Sequence, residues 1–90
     1  MELGEIETAL YAHERVREAA VVADAEGDEG VRITAFVSGA EGWTPSIVEM
    51  KRYCFERLPG YMVPDRFRFV DELPKTSTDK VDYRSLPGVA

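Results

Sequence analysis

Val31, Ile33, Ala35 and Val37 alternate with Arg32, Thr34, Phe36 and Ser38. No other feature constrains the fold of this 90-residue chain as strongly. A period of two belongs to a strand with one buried face and one wet face. Upstream, Ala19-Ala20-Val21-Val22-Ala23 is a continuous apolar run and reads as a buried strand. Asp24 to Gly30, between them, is acidic and glycine-rich, which makes it a turn. The two strands are expected to form an antiparallel hairpin.

The periodicity changes on either side of that hairpin. Leu3, Ile6 and Leu10 recur at helical spacing and give one apolar stripe, which ends near His13 and Glu14. Thr44-Pro45 is a helix start, the hydroxyl capping and the proline preset for the first turn. Ile47, Met50 or Lys51, Cys54 and Leu58 give the second stripe, and Pro59-Gly60 stops it. Phe67 and Phe69 alternate with Arg66 and Arg68 after Pro64, so a third short strand follows. Glu72 to Asp79 reads as a loop, and Val81 to Leu86 as a last helical turn or two before Pro87. This order predicts a single α+β domain over residues 1–90, with a small, mostly antiparallel sheet of about three strands covered by helices.

Charge narrows the function. A net charge of −6 argues against a nucleic-acid ligand, whose phosphates need a basic face. The imbalance is local. Residues 1–42 hold three basic and ten acidic side chains, whereas residues 43–90 hold eight and seven. An acidic or phosphorylated partner would therefore prefer the second half, although the same charges also serve simply to solvate exposed faces. Nothing approaches the ~18 consecutive apolar residues of a membrane span. The acidic start, Met1 to Glu5, lacks the apolar run of a signal peptide, and Cys54 has no partner for an internal disulfide. These features fit a cytoplasmic protein.

Spacing rules alone single out little chemistry. His13 and Cys54 are too isolated to form a metal site, so none is expected. His13 reads as a helix-end residue and Cys54 as a small core hydrophobe. Gly27 and Gly30 lie in an acidic turn that would repel phosphate. Glu2, Glu5 and Glu7 suit the first turn of a helix. Lys80 ends the polar loop Lys75-Thr76-Ser77-Thr78-Asp79 just after a strand. A lysine there can place a full positive charge on a phosphate, but composition alone does not separate it from a solvated surface lysine.

Two segments alter that balance. Glu2-Leu3-Gly4-Glu5-Ile6-Glu7 resembles the motif that opens the C-terminal subdomain of amino-acid adenylation domains of nonribosomal peptide synthetases. Leu58-Pro59-Gly60-Tyr61-Met62-Val63-Pro64, with Phe67, Leu73-Pro74, Thr76 and Lys80-Val81-Asp82, resembles the last core motif of the same domains. The resemblance spans nearly the whole chain. It implies an ATP-dependent ligase working in two steps. A carboxylate attacks the α-phosphate of Mg-ATP to give an acyl-adenylate and pyrophosphate, and the thiol of a phosphopantetheine arm then takes the acyl group. The resemblance also implies a large N-terminal domain, absent from residues 1–90, that carries the ATP, Mg2+ and substrate sites. The small domain caps it and rotates between steps, and it is not active alone.

By the same resemblance Lys80 is the adenylation lysine, and Gly4 lies in the loop lining the pantetheine tunnel after rotation. The expected partners are the enzyme's own N-terminal core and an acidic carrier protein. Lys51, Arg52, Arg57, Arg66 and Arg68 are candidates for contacting the carrier. Two positions depart from the pattern: Asp79 stands where the family has glycine, and Tyr83 where it commonly has arginine. An acyl-CoA or aryl-CoA synthetase is the alternative within the class. A non-catalytic module binding a carrier or partner chain is the alternative outside it.

Overall fold

The computed structural model describes residues 3–25, 31–43 and 45–86. Helix α1 (Leu3–Tyr11) leads into strand β1 (Val16–Ala25), which pairs antiparallel with β2 (Val31–Gly39). Helix α2 (Ile47–Arg57) then crosses over to β3 (Arg66–Val70), which lies parallel to β2. A parallel neighbour requires such a crossover, and α2 is that element. The sheet order is β1-β2-β3. The α+β fold is as expected. Its sheet is mixed, the longer pairing antiparallel and the shorter one parallel.

The central position of β2 overrides the expected wet face. Ile33, Ala35 and Val37 pack with Ile6, Leu10, Met50 and Cys54 under the helices. On the other face Phe36 packs with Ala20, Leu73 and Leu86, with Val22, Val70 and Val81 against them. Thr34 and Ser38 are buried as well, and the Ser38 hydroxyl donates to the Asp71 carbonyl at 3.1 Å. The alternation is real, but both faces are covered, the second by the C-terminal segment folded across it.

An irregularity in β1 sets which side chains face which layer. The register with β2 shifts between Val16 and Glu18. Val16 is buried in the helix-side core, whereas Ala20 and Val22 belong to the opposite face. Unbroken alternation would put all three on one face, because a one-residue slip reverses every side chain. The extra residue, Arg17, absorbs the slip as a bulge. Glu18 is thereby turned toward the C-terminal segment.

Local chemistry fixes the remaining joints. The cap of α2 is Ser46, whose hydroxyl accepts from the Glu49 amide at 3.1 Å, and the expected cap, Thr44, lies outside the described residues. Ile47 is half exposed and leaves the stripe to Met50 and Cys54. The Tyr53 hydroxyl donates to the Ala9 carbonyl at 2.7 Å and ties the two helices together. His13 stacks on Trp43, with ring centroids 5.0 Å apart, and meets the Tyr53 ring edge-on at 4.8 Å. It is a helix-end residue in a packing role. Gly39 is required beneath this cluster, since a Cβ there would come within 2.3 Å of the Trp43 ring. Strand β1 continues to Ala25, through the start of the expected turn, and Gly27 and Gly30 fall outside the described residues.

Candidate functional site

The C-terminal segment carries the loop from Lys75 to Lys80 between apolar anchors. Leu73 is buried against the second sheet face, and Val81 and Leu86 rejoin that face beyond the loop. Between them the chain closes on itself. Lys75 and Val81 form an antiparallel bridge, and the Asp82 amide donates to the Pro74 carbonyl at 2.9 Å. Inside this stem, Thr76 holds both backbone groups of Lys80. The Thr76 amide donates to the Lys80 carbonyl at 2.7 Å, and the Lys80 amide donates to the Thr76 hydroxyl oxygen at 3.3 Å. The Asp79 amide donates to the Thr76 carbonyl at 3.0 Å.

Asp79 has φ +63°, the left-handed region. Glycine enters that region freely, and aspartate is among the few other residues that tolerate it. The geometry accounts for the expected glycine and for the substitution that is found. The Asp79 carboxylate contributes to the field that raises the pKa of Lys75.

The two lysines of the loop differ in their surroundings. Lys75 forms an ion pair with Glu18 of β1, and that hydrogen bond is the main reason its ammonium is held above the ordinary lysine value. Lys80 is exposed, and its ammonium has no acidic partner among the described residues. A cation at the closing end of a hydrogen-bonded turn, not neutralised among the described residues, is suited to an external phosphate.

Beyond the loop, Asp82 caps a 3-10 turn (Tyr83–Ser85), accepting from the Arg84 amide at 3.2 Å and the Ser85 hydroxyl at 2.8 Å. Tyr83 donates to Glu7 Oε2 at 2.7 Å, and the Val21 amide donates to the same oxygen at 2.8 Å. Burial, reinforced by this bond to Glu7, pushes the phenol up to about 12. Glu7 is therefore a bracket joining α1, β1 and the C-terminal turn. Of the expected first-turn charges, Glu5 has that place, and Glu2 lies outside the described residues.

Gly4 lies in the first turn of α1, not in a loop. A Cβ at Gly4 would meet nothing within 4 Å, so packing inside this domain does not demand glycine there. It lines an open groove with Thr8, Ala9, Leu58 and Pro59. The five candidate cations are not gathered into one patch. Lys51, Arg52 and Arg57 ride on α2, and the Arg57 guanidinium sits 3.8 Å over the Tyr53 ring. Arg66 and Arg68 align with Thr34 and Phe36 of β2, on the sheet face opposite the helices. Cys54 is fully buried, and burial pushes its thiol up to about 11, so it is an unreactive core residue. Among the described residues no group of three His, Cys, Asp or Glu side chains could hold a metal ion.

Fold and loop together define a class: a small α+β domain that presents, on a hydrogen-bonded turn, a lysine with no acidic partner among the described residues. The chain belongs to the AMP-binding enzyme C-terminal domain family, whose model matches residues 5–80. It is 46% identical over 89 residues to a linear gramicidin synthase of Brevibacillus parabrevis, covering 97% of this chain and 1% of that protein. It is 52% identical over 79 residues to the probable acyl-activating enzyme 5 of Arabidopsis thaliana, covering 86% of this chain and 14% of that protein. A four-domain nonribosomal peptide synthetase crystallised with AMP and glycine superposes with a TM-score of 0.84 at 34% identity, over 97% of this chain and 6% of that one. The chain thus spans a small part of its relatives, which include both peptide synthetases and acyl-activating ligases. Among the described residues no helix is long and apolar enough to cross a membrane.

The motif singled out Lys80, which the structure places on the exposed loop. Glu18 was not legible, because its partner Lys75 lies far along the chain and no local pattern joins them. Thr76 was legible only as a motif member, and its grip on Lys80 is a property of the folded turn.

Proposed function

We propose that this domain brings the adenylation lysine to an ATP-dependent ligase. The ligase activates a carboxylic acid, an amino acid, as its acyl-adenylate and passes the acyl group to the phosphopantetheine thiol of a carrier protein. The observation that carries this reading is Lys80, held by Thr76 at the closing end of a hydrogen-bonded turn with no acidic partner among the described residues. In the first step a carboxylate oxygen bonds to the α-phosphorus and pyrophosphate departs, so negative charge gathers around that phosphorus. The Lys80 ammonium stabilises that charge from a preorganised position. ATP, Mg2+ and the acid are held mainly by a larger N-terminal core outside residues 1–90.

In the second step the thiol attacks the acyl carbonyl and AMP leaves, which needs no cation at the α-phosphate. The domain turns Lys80 away and brings Gly4 against the pantetheine arm, where the absence of a Cβ admits a close approach. Coenzyme A is the second reading for the acceptor, supported by the 52% identity to an acyl-activating enzyme. Both acceptors end in the same arm, so the Lys80 and Gly4 assignments hold for either.

The test separates the half-reactions in the intact enzyme. Lys80→Ala should slow adenylate formation about 10²–10³-fold, roughly 3–4 kcal/mol, the usual cost of losing a preorganised charged donor. Transfer from a supplied acyl-adenylate to the thiol should change far less. Equal loss in both steps would refute the assignment and point to a folding or general binding role.

A further inference from the structure

The bonds that shape the Lys80 turn do not aim it. Thr76 closes the turn on itself, and the Lys75–Val81 bridge closes the stem. Both are internal to the loop and would survive if the whole loop tilted over the sheet. Leu73, Val81 and Leu86 anchor the flanking chain by apolar contact, which is non-directional, and the directional bonds from Ser38 to Asp71 and from Tyr83 to Glu7 meet it outside the stem, before and after the loop. A directional link runs from the loop to the sheet: the ion pair between Lys75 and Glu18 of β1. Lys75 opens the stem whose other strand, at Val81, directly follows Lys80. A shift of Lys75 is therefore passed to Lys80 through one bridge and one peptide unit.

Glu18 faces the loop because of the bulge at Arg17. The same bulge lets Val16 enter the helix-side core while Glu18 points to the opposite face. Both partners are partly exposed, with 30% of the Lys75 side chain and 25% of the Glu18 side chain accessible. We propose that Glu18 is a positioning residue for Lys80, acting through Lys75 to fix the direction of the loop. The proposal rests on the reading of Lys80 given above. It makes Lys75 an anchor, distinct from the phosphate-directed lysine five positions later.

The experiment is a set of variants in the intact enzyme, with pyrophosphate exchange for the first step and acyl transfer from supplied adenylate for the second. Misplacement by about 1 Å can cost ~10²-fold, and a partly exposed tether should permit less movement than that, so Glu18→Gln should lower kcat for adenylate formation about tenfold. Acyl transfer and the KM for ATP should change little. In a Lys80→Ala background Glu18→Gln should cause no further loss, because residues acting through one group are non-additive. The exchanged pair, Glu18→Lys with Lys75→Glu, should recover most of the rate.

Unchanged adenylate formation in Glu18→Gln overturns the proposal. So does an equal loss in the Lys80→Ala background, or an exchanged pair no better than the single variants. A Lys80→Ala enzyme that forms adenylate at full rate overturns the underlying reading as well. A slow Lys80→Ala enzyme beside a full-rate Glu18→Gln enzyme overturns this proposal alone.

Discussion

Asp79 offers the sharpest single perturbation of the loop, because its backbone angle gives the size of the effect. At φ +63° an L-residue typically pays about 1–2 kcal/mol, with aspartate at the low end. Glycine removes that penalty but loses about 0.5–1 kcal/mol through its freer unfolded chain. Asp79→Gly should therefore leave stability within about 0.5 kcal/mol of the parent. Asp79→Ala should cost about 1 kcal/mol and Asp79→Val about 2, since β-branched residues are true outliers there. For a domain of this size 1 kcal/mol is roughly 4–8 °C in Tm, readily resolved by thermal unfolding followed by circular dichroism. The same variants should rank in adenylate formation, with glycine matching or exceeding the parent because it keeps the turn and removes a carboxylate beside Lys80. Valine should be slow because the Asp79 amide could no longer reach the Thr76 carbonyl in the same turn. Valine as stable as glycine would refute the strain argument. A slower first step in Asp79→Gly would show instead that the carboxylate holds Lys80 in place.

Tyr83→Phe should cost about 1 kcal/mol by removing the hydroxyl that bonds Glu7. The folded state holds this phenol near 12, above its ordinary value, so its contribution is present below about pH 10 and lost as the pH rises toward 12. Denaturant unfolding should show the parent's advantage over Tyr83→Phe shrinking across that window, and a constant gap would refute the linkage. Charge reversal at Lys51, Arg52 and Arg57 should weaken carrier-dependent thioester formation in a salt-sensitive way. Reversal at Arg66 and Arg68, on the other sheet face, should act separately, and identical effects from both sets would argue against a face-specific contact.

Residues close in sequence carried much of the fold. The stripe of Leu3, Ile6 and Leu10, the alternation of Val31 to Ser38 and the Phe67–Phe69 pair each place an element by local periodicity, and each element is present. Motif spacing likewise led to Lys80, since the lysine and the Thr76 that grips it lie within one turn. Burial of both faces of β2 could not be read locally, because it depends on Leu73 and Leu86 arriving from the far end of the chain. The parallel placement of β3 depends on where α2 packs, which no strand pattern records.

The site divides in the same way. The sequence by itself determined that an exposed, loop-borne lysine follows a third strand, because those properties follow from composition and spacing over a few residues. Only the tertiary structure decided which lysine is neutralised and which is not. Lys75 and Lys80 look alike in sequence, but the bulge at Arg17 turns Glu18 toward Lys75 and leaves Lys80 without an acidic partner among the described residues. The strained angle at Asp79 and the bracket from Glu7 to Tyr83 and Val21 also exist only once the chain has closed. The physical reason is range: periodicity and turn chemistry act over a few residues, whereas an ion pair depends on distance in space, which folding alone sets.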